Sequence, residues 1–144
     1  MPHLTWPVQV QGPIVNLWVT ISTARAGTLR KAGHRVPAGI SLPALVDTGA
    51  TSTVIDEATV QSLGLVETGF TQMHTTSTGS TAVTCYQYDA YLAILDVQNF
   101  YIGDTPITAA NLSNHAIRAL IGRDVLSKCL LVYDGTLQQF TLAF

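Results

Sequence analysis

An apolar run that ends in a lone carboxylate constrains this chain more than any other feature. Leu42-Pro43-Ala44-Leu45-Val46 leads into Asp47-Thr48-Gly49-Ala50-Thr51-Ser52-Thr53, and Val54-Ile55 leads out again. Short apolar runs bounded by turn residues read as buried strands, so Asp47 is delivered at a strand end into a turn of small residues. Gly49 lets the backbone turn tightly beside the carboxylate. A charge placed there is badly solvated unless something holds it.

A second stretch, Ala119-Leu120-Ile121-Gly122-Arg123-Asp124-Val125-Leu126, follows later in the chain. With it in view, Asp47-Thr48-Gly49-Ala50 resembles the active-site loop of the pepsin and retropepsin class of aspartic peptidases. The later stretch resembles the hydrophobic-hydrophobic-Gly segment and short helix that close the same lobe, and retroviral proteases carry nearly this Ile-Gly-Arg run. The resemblance implies an all-β fold, a single-lobe acid-protease (retropepsin-like) β-barrel with a flap hairpin and one or two short helices. It implies one such domain over residues 1–144, hydrolysing peptide bonds in extended protein or peptide segments, with a non-catalytic binding or assembly module of the same fold as the alternative.

The same resemblance assigns Asp47, Thr48 and Gly49 to catalysis and Ala50 to the substrate approach. Thr76, Ser77, Thr78 and Gly79, at the tip of the flap, would hold the substrate backbone. Aspartic peptidases use two carboxylates about 3 Å apart that share a proton. Asp124 and Asp134 both lack the following Thr/Ser-Gly, so the second carboxylate is expected from another copy of the chain, in a homodimer. Thr48 would then bridge the two loops. Retroviral relatives often carry acids just after this point, one of them paired with the arginine of the Ile-Gly-Arg run. Thr51 and Ser52 stand there instead, leaving Arg123 to use Asp124, a backbone carbonyl or the other chain.

Composition narrows the function classes. Charged residues are 11% and apolar residues 47% of 144, which excludes a disordered chain and gives enough material for a core. A net charge of -2 gives no reason to expect nucleic acid. Arg25, Arg30, Lys31 and Arg35 nonetheless crowd one segment, read either as a solvated basic insertion or as a patch for an acidic partner. Cys85 and Cys129 lack metal-ligand spacing, so free thiols in a reducing, cytoplasmic setting are expected. No apolar run approaches the roughly 20 residues that span a bilayer, and no signal peptide is evident. The four histidines show no metal spacing, so no metal or other cofactor is expected. A Ser52, His74, Asp89 triad can be assembled on paper without any nucleophile elbow around it.

Along the chain, Leu4 to Val10 reads as an edge strand interrupted by Pro7. Val15, Leu17, Val19 and Ile21 alternate with polar positions and Trp18, the period of a strand with one buried face. Thr23 to Ile40 has no sustained period and reads as an exposed excursion. Asp56 to Leu63 reads as a helix closed by Gly64, and Phe70 to Ile94 as a long hairpin. Gly103-Asp104-Thr105-Pro106 reads as a turn before a short strand from Ile107. Arg118 falls in a loop, either bordering the cleft or simply exposed, and Asp134-Gly135 reads as a tight hairpin turn before the last strand.

Overall fold

The alternation at Val15 to Ile21 forms a strand with one buried face, and that strand is part of a closed barrel. In the computed structural model, which describes residues 1–74 and 79–144, the first elements are β1 (His3–Pro7), β2 (Ile14–Ile21), α1 (Thr23–Lys31), β3 (Ile40–Val46), β4 (Val54–Asp56) and α2 (Glu57–Leu63). They are followed by β5 (Glu67–Met73), β6 (Val83–Ile94), β7 (Phe100–Ala110), β8 (Ala119–Ile121), α3 (Arg123–Leu126), β9 (Leu130–Asp134) and β10 (Gln139–Ala143). The hydrogen-bonded order β2-β3-β8-β4-β7-β6 returns to β2 through a β2–β6 pairing, so six strands close on themselves. Closure removes the open edges at which sheets aggregate. β5 extends beyond the ring, paired with β6 as one arm of a long hairpin.

Leu17, Val19, Leu92 and Ile107, with the two strand-end residues Ala119 and Ile121, fill the barrel with almost no exposed surface. A second, three-stranded sheet in the order β1-β10-β9 adds Leu4, Phe140 and Leu142 to the same apolar cluster. Trp6 stacks on Phe140 at 5.3 Å between centroids, and Phe144 on Phe100 at 4.3 Å. Both ends of the chain are thereby paired to each other and pinned to the barrel.

The acid-protease barrel expected from the sequence is the one observed, but helices number three among the described residues instead of one or two. The extra one is α1, within the stretch expected to be an irregular excursion. It buries only Ala26, which is why no apolar period betrays it. Its hold is polar. Ser22 Oγ accepts from Arg25 N–H at 3.3 Å, Asp104 accepts from Thr23 N–H at 2.9 Å and from the Thr23 hydroxyl, and Arg30 and Lys31 sit in the last turn where the helix dipole favours cations.

The turn expected at Gly103–Pro106 is also absent, because β7 runs straight through it. Gly103, at φ +94°, supplies the irregularity opposite Leu92 and Ala93 that bends the strand without ending it. Pro106 is tolerated because β4 joins β7 only from Thr108, leaving Pro106 without a second neighbour to serve. The Asp134 hairpin is there, but as a wider loop. Asp134 Oδ1 accepts from Thr136 and Leu137 N–H, both at 2.9 Å, and the positive φ falls on Gln138.

Asp104 thus acts as an N-terminal cap supplied from another strand. Asp104→Ala is expected to cost about 0.5–2 kcal/mol of stability, the range for losing a helix cap. Amide exchange should accelerate first at Thr23 to Ala26, and equal acceleration throughout the barrel would show that the pairing does not govern α1.

Candidate active site

Two parallel strands bring the sequence motifs together. β3 and β8 run side by side in the register Val46↔Ile121, so Asp47 and Gly122 leave the sheet next to each other. Asp47 N–H donates to Ile121 C=O at 3.0 Å and continues the ladder one residue into the loop. The chain then rounds residues 48–53 and re-enters as β4, antiparallel to β8 at Val54↔Leu120. The loop therefore encircles the start of α3. That crowding explains the glycine of the second motif, since a Cβ on Gly122 would lie 2.5 Å from the backbone carbon of Ser52.

Thr53 locks this arrangement from inside. Its side chain has no exposed surface, and its hydroxyl donates to Asp124 Oδ1 at 2.8 Å while accepting from Gly122 N–H at 3.2 Å. Asp124 Oδ2 accepts from Thr53 N–H at 3.0 Å, and Oδ1 also accepts from Val125 N–H at 2.8 Å. Both oxygens of Asp124 are thus committed to structure. Asp56 is likewise occupied, buried and accepting from Leu112 N–H at 2.8 Å. No signal in the sequence singles out Thr53. A threonine one residue before an apolar strand resembles any other β-former.

Asp47 is half-buried, with Oδ1 accepting from Gly49 N–H at 2.9 Å. Among the described residues its other carboxylate oxygen has no hydrogen-bond partner. Arg123 braces the loop from outside. Its guanidinium donates to Thr48 C=O at 2.9 Å, Gly49 C=O at 3.3 Å and Thr51 Oγ1 at 3.2 Å, while its N–H donates to Ala50 C=O at 2.9 Å. Of the partners open to Arg123 from sequence, backbone carbonyls are the ones used, and Asp124 is not. The Thr48 side chain is exposed.

The loop faces a cleft of about 370 Å3 bounded on one side by Gly49, Ala50 and Ser52 and on the other by Thr71, Met73 and His74 of the β5 arm. Gly49 and Ala50 therefore line the same cleft as the β5 arm. Gly79 is an exposed turn residue at φ +60°. Thr76, Ser77 and Thr78, assigned to the hairpin tip, lie outside the described residues. Ser52 and His74 both line the cleft, but Asp89 lies elsewhere, beside Ser22 and Arg25, so the triad drawn on paper is not assembled. Arg118 is no cleft residue either. It donates to Leu112 and His115 C=O at 2.7 and 2.8 Å and ties down its own loop. Cys85 and Cys129 are free, and burial pushes both thiols up, with the Glu57 carboxylate adding to the effect at Cys85. Neither is poised as a thiolate nucleophile at neutral pH.

Residues 38–128, which contain both motifs and the hairpin, match the model of the gag-polyprotein aspartyl protease family. Among solved structures, a retropepsin-like aspartic protease from Rickettsia conorii is similar at a TM-score of 0.58 and 16% identity, over 98% of this chain and 89% of that one. The retroviral protease-like domain of Ddi1 from Leishmania major aligns at a TM-score of 0.39 and 14% identity, over 85% of this chain and 82% of that one. No curated protein matches the sequence.

Thr53→Val keeps the side chain's shape but strands the Gly122 N–H and one bond of Asp124. It is expected to cost about 1–3 kcal/mol, the penalty for an unsatisfied buried group, seen as a lower urea midpoint with unchanged slope. Thr53→Ser, which keeps the hydroxyl, should retain most of the stability. Gly122→Ala should cost a similar amount, about 1–3 kcal/mol by overpacking against Ser52. A neutral result for both Thr53→Val and Gly122→Ala would remove this node as the lock between the motifs.

Proposed function

This chain belongs to the gag-polyprotein aspartyl protease family, and from that premise we propose that it is an aspartic endopeptidase that cleaves extended protein or peptide segments as a homodimer. The observation that carries the proposal is Asp47, oriented by Gly49 N–H at the end of β3 and set in a loop that opens into the hairpin-bounded cleft. In this reading Asp47 of two chains meet on a twofold axis, and the pair holds one proton. The ionised member activates water and the protonated member polarises the scissile carbonyl. Thr48 and Gly49 complete the catalytic loop. Ala50 keeps the approach open, and Thr76, Ser77, Thr78 and Gly79 at the flap tip bond the substrate backbone. An extended peptide lying beneath a hairpin needs few side-chain contacts for such binding.

The need for a second copy comes from carboxylate supply, since Asp124 and Asp56 are already consumed by structural hydrogen bonds. β9 offers a surface for it. It is the outer strand of its sheet, with Leu130, Val132 and Tyr133 exposed. Residues 1–144 act as one domain in this reading. Two free cysteines favour a reducing compartment, and we place the enzyme in the cytoplasm without nucleic-acid or membrane partners. No helix among the described residues is long and apolar enough to cross a membrane. The competing reading, a binding module of the same fold, is favoured by no specific observation and has no need of a carboxylate at the root of the loop that lines the cleft.

Asp47→Asn should remove cleavage of a peptide library by at least a thousandfold while leaving the fold intact. Activity near that of the parent would move the chemistry elsewhere. Specific activity of the parent should fall on dilution, approaching second-order dependence on protein below the dimer dissociation constant. It should follow a bell in pH with its maximum on the acid side of neutrality, where the pair holds one proton. Undiminished activity at concentrations where sedimentation finds only monomer would rule out the shared site.

A further inference from the structure

The chain's charges are segregated along the sequence. All nine Asp and Glu lie at or beyond Asp47, so residues 1–46 carry Arg25, Arg30, Lys31 and Arg35 with no acid among them. Beyond residue 46 the nine acids face only Arg118, Arg123 and Lys128. α1 collects Arg25, Arg30 and Lys31 on one helix, and its docking on Asp104 fixes them to one side of the barrel.

Under that helix lies a cavity of about 460 Å3, larger than the cleft at the Asp47 loop and sharing no lining residue with it. Its aromatic surface comes from two strands. Trp18 of β2 and Tyr91 of β6 meet edge to face, 6.4 Å apart between centroids and 76° between planes. Both are half-buried and face away from the barrel core. Val36 and Pro37 add apolar wall, and exposed Arg30 lines the same space. Gly39 is bare for a steric reason, since a Cβ there would fall 2.3 Å from Trp18 Cε2. The indole is therefore held against the backbone of the chain segment that follows α1, and its position is part of the fold.

We propose that this cavity is a docking site for an acidic peptide segment. A large apolar side chain of that segment packs against Trp18 and Tyr91, and an adjacent carboxylate pairs with Arg30. Volume and lining suit one bulky side chain with a single directional polar contact. A guanidinium beside an aromatic wall selects a carboxylate and orients it. Arg25, Lys31 and Arg35 raise the local potential and outnumber the two acids that the fold brings to this side, Asp104 at the start of α1 and Asp89 beside Arg25. Four cations offset by Asp104 and Asp89, on a chain of net charge -2, are a poor match for a polyanion as dense as nucleic acid. The site is independent of cleavage at Asp47.

The test uses the full chain carrying Asp47→Asn, so that no probe is cut, and fluorescently labelled octapeptides read by anisotropy. One has a Glu-Glu-Phe-Glu core, the second replaces each Glu by Lys, and a labelled single-stranded oligonucleotide is the third probe. The acidic peptide should bind saturably and move the Trp18 indole N–H resonance while leaving that of Trp6. Arg30→Glu, at an exposed helix position, should weaken binding at least tenfold, and Tyr91→Leu should weaken it with Arg30 in place. The proposal is overturned by no saturable binding of the acidic peptide, or by equal binding of the lysine peptide. It is also overturned by tighter binding of the oligonucleotide, or by less than a twofold effect of Arg30→Glu.

Discussion

The buried hydroxyl of Thr53 is the constraint on which the site depends. A hydroxyl without solvent must satisfy both its donor and its acceptor capacity within the protein, and here it does so between Asp124 and Gly122. That one group ties the end of the Asp47 loop to the start of α3, and hence one motif to the other. Parallel pairing of β3 and β8 sets the two motifs side by side, but pairing alone would leave the loop free to lift. With Thr53 anchored beneath and Arg123 holding the carbonyls of Thr48, Gly49 and Ala50 from outside, the loop is clamped on both faces.

How much of this was legible in the sequence follows from where each element gets its stability. β2, β3 and the Asp56–Leu63 helix bury apolar residues at regular intervals, so their periods appear directly in the residues. α1 does not, because it is held by Ser22, Thr23 and Asp104, and a cap supplied by a strand 81 residues away leaves no local pattern. The β7 misreading has the same root. Gly103 and Pro106 are turn residues by local chemistry, yet they serve a bulge and an unpaired stretch whose neighbours are set by the fold. At the site, Asp47, Gly49 and Gly122 were visible through their motif. Thr53 was not, because its role is defined only by what the fold places opposite it.

Arg123 shows how a departure from a family pattern is absorbed. Where related sequences offer an acid, this chain offers Thr51 and Ser52, and the guanidinium turns to two carbonyls and a hydroxyl. Neutral acceptors give up the Coulomb attraction of an ion pair, which near a surface is small. They keep the geometry, because a planar fork can meet several carbonyls of one loop at once. The exchange removes a negative charge from the immediate neighbourhood of Asp47. In the homodimer proposed above, having Thr51 and Ser52 rather than an acid there would lower the repulsion that a second carboxylate meets.

The route by which a second copy could approach is narrowed by the termini. In the retroviral proteases that the sequence resembles, amino and carboxyl ends interleave between chains. Here β1 is zipped to β10 from His3↔Ala143 to Pro7↔Gln139, and Phe144 N–H closes on Pro2 C=O at 2.9 Å. Exchanging those strands would first require opening the ladder, together with the Trp6–Phe140 stack that seats it on the core. β9 needs no such opening, because among the described residues its outer edge has no strand partner and it exposes Leu130, Val132 and Tyr133. α3 and the few residues after it connect that edge directly to Gly122. A partner seated along β9 would therefore be registered to the same short segment that Thr53 locks to the Asp47 loop, and the position of each loop would be transmitted to the other through it.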